Sequence, residues 1–153
     1  MHKLMLTREQ FAPLLPHRGA MCLIDRVVAW DSDGIVCASN SHHCADHPLL
    51  AHGQLLALAG IEYSAQAMAL HGALAGHAHG VGEGHSGVLA SLRQVTLHVP
   101  LLNVIRGELM VHARKLVAQQ RHLLYAFRVE GDGGVLLQGR AAIALGTMTS
   151  GGA

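Results

Sequence analysis

Glu62 is the only Asp, Glu, Lys or Arg between Asp46 and Glu83. The residues around it, from Leu49 to Gly76, are mostly Ala, Leu, Ile, Met and Gly. A stretch of this kind must be hidden from water, and few folds can hide one so long. It is long enough to raise a membrane span, but Gln54, Glu62, Gln66 and His71 interrupt it and glycine is frequent, so no span is expected. From Leu55 to about Ala75 there is no proline, and the Ala, Leu and Met content favours helix. Apolar residues lie nearly all round this helix. It is therefore expected to be enclosed by other structure rather than laid on a surface. The small residues Ala59, Gly60, Ala65, Ala67 and Ala69 would let strands approach it closely.

The flanking sequence supplies those strands. "TREQFAPLL" reads as a short amphipathic helix, with Thr7 as N-cap, Gln10 completing a capping box, and Pro13 and Pro16 ending it. "AMCLIDRVVAW" and "GIVCASNSH" read as strands joined by the turn "DSDG". His42 to Gly53 is irregular, with Pro48 and Gly53 as breakers. After the long helix, "GHAHGVGEGHSG" is a glycine-rich connection. It leads to "VLASLRQVTLHV", "GELMVHARKLV", "HLLYAFRVEG" and "GVLLQGRAAIALG", which read as strands of a meander, with Gly131 to Gly134 as the last hairpin turn. The expected class is α+β: an antiparallel β-sheet wrapped around one long central helix. One domain is expected over 1–147, with 148–153 a flexible tail.

Composition narrows the partners. Charged residues are 14% of the 153, against roughly 25% in an ordinary soluble domain. So low a fraction points to surface buried in an oligomer. Lys and Arg number 11 against 10 Asp and Glu, with no basic stripe, which argues against nucleic acid. "MHKLMLTREQF" has no apolar core ahead of Arg8 and Glu9. Cys22, Cys37 and Cys44 are odd in number and lack CxxC spacing. Both patterns are those of a cytoplasmic chain with reduced thiols.

Two blocks carry a family resemblance. "LLPHRGAMCLIDRVV" resembles the N-terminal signature of the 3-hydroxyacyl-[acyl carrier protein] dehydratases, enzymes of the hot-dog fold. "HPLLAHGQLLALAGIEYSAQAMALHGAL" is similar to the branch of that family found in aryl polyene biosynthesis, where the helix carries Gly-Ile-Glu-Tyr followed by Ala-Gln-Ala. The likeness covers most of the chain. It implies dehydration of 3-hydroxyacyl thioesters to trans-2-enoyl thioesters, in a fatty-acid or aryl polyene type pathway. It implies His47 as the base and Glu62 as the acid, contributed by opposite subunits of a dimer. It further implies Gly53, Gly60 and Gln66 at the substrate, with no cofactor and no metal. The implied partners are an acyl carrier protein bearing a phosphopantetheine-linked acyl chain, and a second hot-dog subunit in a homodimer or heterodimer. Fifteen positions separate His47 from Glu62, one off the fatty-acid dehydratase pattern, and Leu56-Ala57-Leu58 stands where the polyene branch has Pro-Ala-Trp.

The chemistry fits the residue types. Dehydration needs a base for the C2 proton, an acid for the C3 hydroxyl, and polarisation of the thioester carbonyl. A carboxyl group set among Leu, Ala and Ile loses hydration when ionised, which favours the protonated form that a general acid requires. The plainer alternative turns Glu62 toward solvent or against an arginine such as Arg18 or Arg93. His52, beside Gly53, rivals His47 as the base. Gln66, one turn after Glu62, either orients the carboxyl or packs on a strand. His17, in "LPHR", reads as a structural histidine bonded to backbone.

Other functions compete. "HHCADH" offers zinc-type ligands, but neighbouring strand residues point to opposite faces and no second ligand cluster has a recognised spacing. A hot-dog thioesterase would use Glu62 alone to activate water. A third reading makes the chain a weakly active structural partner of a second hot-dog dehydratase. Arg18, Arg26, Arg93, Arg106 and Arg114 are candidate contacts for an acidic carrier protein.

Overall fold

The computed structural model describes residues 5–78 and 85–147. The expected tail, 148–153, and much of the glycine-rich connection, 79–84, lie outside the described residues. The elements follow one another as β1 (Leu6–Thr7), α1 (Arg8–Phe11), β2 (Arg26–Trp30), β3 (Gly34–Ser39), α2 (Gly60–Ala78), β4 (His85–Leu97), β5 (Leu109–Gln119), β6 (His122–Gly131) and β7 (Gly134–Thr147). The strands form one antiparallel sheet in the order β1-β2-β3-β5-β6-β7-β4. The chain thus leaves β3 through α2 and re-enters the sheet at its far edge. β5, β6 and β7 then fill the space between. Register shifts in β2, β4, β5 and β7 mark bulges, which bend a sheet around what it covers.

α2 packs against β3, β5 and β6. Its Tyr63, Ala67, Met68, Leu70 and Leu74 join Ile35, Cys37, Val111, Ala113, Tyr125, Phe127 and Val129 in one core. His71 pins the helix down. Its buried ring donates from Nε2 to the Asp31 carbonyl at 2.9 Å and accepts the Tyr125 hydroxyl at Nδ1, 2.6 Å away. Among the described residues, no helix is long and apolar enough to cross a membrane.

The expected elements are present, but two begin late, and in each case the reason is where the backbone bonds go. The long helix was expected from Leu55 and starts at Gly60, after a 3₁₀ turn over Ala57–Ala59. Leu55 N–H is taken by Asn103 Oδ1, Leu55 O by Leu102 N–H, and Ala57 N–H by the Pro100 carbonyl. The strand expected from Ala20 starts at Arg26. Upstream of it, the Leu23 N–H goes to the Gln66 side chain and the Leu23 carbonyl to Ser39 and Ser41. These bonds divert Leu55, Ala57 and Leu23 from a regular ladder.

β4 is an edge strand, and from Gly87 onward nearly all of its residues are exposed, including Val88, Leu89, Leu92 and Leu97. An open edge bearing apolar side chains is a surface that other chains tend to cover.

Candidate active site

Glu62 stands in the first turn of α2. Its Oε1 lies 3.1 Å from Gln66 Nε2, a donor, and 3.1 Å from His17 Nε2. Oε2 has no protein partner among the described residues. Gln66, one turn along, is fully buried. Its Nε2 also donates to the Met21 carbonyl at 2.8 Å, and its Oε1 accepts Leu23 N–H at 2.9 Å. Gln66 therefore clamps the non-strand 21–23 segment to the helix, rather than packing on a strand, and also donates to the carboxyl. Leu58, one turn before Glu62, and Met21 are exposed apolar side chains beside this site.

Glu62 meets neither arginine suggested for it. The Arg18 guanidinium is spent on the carbonyls of Ala12, Leu15 and His17, and this tight turn presents His17 to the helix instead. His17 is thus bonded to a carboxylate rather than to backbone. The Glu62 side chain is 34% exposed and that of His17 28%. The dry surroundings expected for Glu62 are therefore not found in this chain, where the first turn of α2 leaves its side chain partly exposed.

His47 is 5% exposed. Its Nδ1 accepts the Leu49 N–H at 3.0 Å, so a neutral ring carries its proton on Nε2 and donates to Tyr63 Oη at 3.0 Å. Tyr63 Oη is 2.6 Å from Ser41 Oγ, which donates to the Leu23 carbonyl at 2.9 Å. Burial holds the His47 pKa below its ordinary value, opposed in part by the Asp46 carboxylate. Burial also pushes the Tyr63 hydroxyl up to about 12, so it stays a neutral donor. No hydrogen bond or ion pair among the described residues joins His47 to Glu62. They are connected through the Leu23 peptide, whose N–H serves Gln66 and whose carbonyl serves Ser41.

The remaining candidates lie apart. His52 and Gly53 form an exposed turn with positive φ, 52° and 75°, tied by Asn103 Nδ2 to the Gly53 carbonyl. Gly60 is buried, and a Cβ there would strike the Leu137 side chain, so its missing side chain already serves packing. His42 and His43 were expected to diverge. They lie instead in a 3₁₀ turn, and both bring Nε2 to the Ile105 carbonyl, at 3.0 and 2.7 Å. Among the described residues, no cluster of His, Cys, Asp and Glu could hold a metal ion.

A cavity of about 880 Å³ lies between other residues, including His112, Arg114, Arg128 and Arg140, and is lined by none of the candidate site residues. Two of its lining groups, Arg128 and His112, pair with Glu130. The candidate site is therefore the Glu62 face. His17, Tyr63 and Ser41 are the members that sequence reasoning missed or set aside, although His17 and Tyr63 both lie inside the two family-like blocks.

A family model described as ApeP dehydratase, of the ApeP-like family, matches residues 9–147. The chain belongs to the ApeP-like dehydratase family. No curated protein matches it. Among solved structures, this ApeP-like chain is similar to a chain of the dehydratase heterocomplex ApeI:P from Xenorhabdus doucetiae. That match has a TM-score of 0.78 and 22% identity, over 90% of this chain and 91% of that one. It is also similar to a thioesterase from Haemophilus influenzae, with a TM-score of 0.67 and 13% identity, over 99% and 98% of the two chains. AziG from S. sahachiroi follows at a TM-score of 0.55 and 18% identity, over 80% and 90%. At these identities the likeness is one of fold: the ApeP-like chain has the hot-dog architecture.

Proposed function

We propose that the chain removes water from 3-hydroxyacyl thioesters carried on an acyl carrier protein, giving trans-2-enoyl thioesters in a fatty-acid or aryl polyene type pathway, as one domain over 1–147. The observation that carries this reading is the Glu62 carboxyl: Oε1 is fixed by Gln66 and His17, Oε2 is left open, and exposed Leu58 and Met21 stand beside it. The C2 proton passes to a base and its electron pair forms the C2–C3 double bond. The C3–O bond breaks, and the Glu62 proton completes a departing water. His47 is the proposed base. Its depressed pKa keeps it unprotonated near neutrality, as a base must be. It takes up a proton when the Leu49 hydrogen bond to Nδ1 opens.

A second hot-dog subunit completes the site in this proposal, in a homodimer or a heterodimer. The exposed β4 edge and the partial exposure of Glu62 support it. So does the name of the similar ApeI:P assembly, a dehydratase heterocomplex. The acyl chain would enter between the subunits beside Gly53 and Gly60. Of the arginines considered for carrier docking, Arg18 is bound to carbonyls and Arg26 pairs with Glu108, which leaves Arg93, Arg106 and Arg114. The cytoplasm is the proposed compartment.

The test supplies a 3-hydroxyacyl carrier-protein thioester to the purified protein, alone and with its hot-dog partner. Enoyl product is expected, with Glu62→Gln and His47→Ala each slower by about 10²-fold or more. Free thiol without enoyl product would replace dehydration by thioester hydrolysis, with Oε2 of Glu62 activating water. Parent rates in both variants would remove these residues from the mechanism. Activity that appears only with a partner, and survives both substitutions, would make the chain a structural subunit.

A further inference from the structure

His17 Nε2 and Gln66 Nε2 converge on the same oxygen of Glu62, each at 3.1 Å. The other ring nitrogen, His17 Nδ1, is buried and has no hydrogen-bond partner among the described residues. A buried N–H without an acceptor is costly, whereas a bare lone pair in the same place costs less. With Nδ1 as the bare lone pair, the tautomer that fits the site carries its proton on Nε2, the nitrogen 3.1 Å from Oε1. Two donors on one oxygen leave a protonated carboxyl only the other oxygen for its own hydrogen.

We infer that His17 is a positioning residue that, together with Gln66, assigns the transferable proton of Glu62 to Oε2. The inference rests on the reading of Glu62 as the acid. The proton leaves Oε2 for the departing C3 hydroxyl, and the negative charge that remains on the carboxylate is received at Oε1 by two N–H groups already in place. No reorganisation is needed as charge develops. His17 itself neither gains nor loses a proton in the step. Its place in the chain serves the same end: the carbonyl bonds of Arg18 hold the turn that aims the ring at the helix.

The experiment compares His17→Gln, which keeps an N–H donor, with His17→Phe, which fills the space without one. His17→Phe is expected to lower kcat roughly 10- to 100-fold, the range for losing a hydrogen bond to a charged group, with KM and the melting temperature little changed. His17→Gln is expected to recover most of that loss. Parent kcat in His17→Phe, or equal losses in both variants, overturns the inference. A second measurement does not depend on activity: ¹⁵N NMR of the His17 ring in the full-length protein. The Nε2–H tautomer is expected, with its Nε2–H resonance displaced in Glu62→Leu. An Nδ1–H tautomer, or no response to Glu62→Leu, overturns the inference as well. If no enoyl product forms with the parent, the dehydratase reading fails, and the NMR outcome still decides whether His17 holds the carboxyl.

Discussion

Tyr63 follows Glu62 directly in sequence but turns about a quarter of the helix circumference away, and so serves a different partner. Its hydroxyl joins the His47 ring to Ser41. Tyr63→Phe would leave the His47 Nε2–H buried without an acceptor. A loss of about 1–3 kcal/mol in unfolding free energy is expected, read from denaturant titration, together with slower dehydration if His47 is the base. Glu62 could be read from sequence because one charge in a long apolar run is conspicuous. His17 could not, since its role depends on a contact across 45 positions that no local pattern announces. The same holds for the ring nitrogens of His47: which of them is engaged depends on Leu49 and Tyr63, and a sequence carries no orientation.

At the scale of elements, the junction of α2 with β7 is close-packed. Gly60 faces Leu137, whose side chain is itself fully buried and has little room to retreat. Gly60→Ala is expected to cost a net of about 1 kcal/mol or more, because overpacking outweighs the roughly 1 kcal/mol that alanine offers as a better helix former. A lowered denaturant midpoint at constant slope would register it. The helix, the hairpin of β2 and β3, and the later strands could all be read from period, breakers and turn residues. The starts of α2 and β2 could not. They are fixed by Asn103, Leu102 and Pro100 in one case and by Gln66, Ser39 and Ser41 in the other, all distant side chains or backbone groups that claim the local hydrogen bonds first.

Across the whole molecule, burial holds four histidines, His42, His47, His71 and His112, below their ordinary pKa. The unfolded chain therefore binds more protons than the folded one once the pH drops below about 6.5. Their contribution to stability is present above that value and declines as the pH falls toward the folded pKa values. Glu108 and Glu130 are shifted down mainly by Arg26 and Arg128, and their contribution goes later, below about pH 4.5. Thermal melting is expected to be nearly flat from pH 7 to 8 and to fall progressively from pH 6.5 to 4. A melting temperature that rises on acidification would contradict this assignment. The low charge content has its counterpart in the exposed apolar side chains of the β4 edge.

The pairing of Leu55 and Ala57 with residues 100–102 also dictates an order of events during synthesis. The carboxyl proposed as the acid sits five residues past the last of those bonds, but the bonds cannot form until the ribosome has delivered the loop beyond β4. A nascent chain halted before Pro100 would own His17, His47, Glu62 and Gln66 and still lack the backbone partners of Leu55 and Ala57.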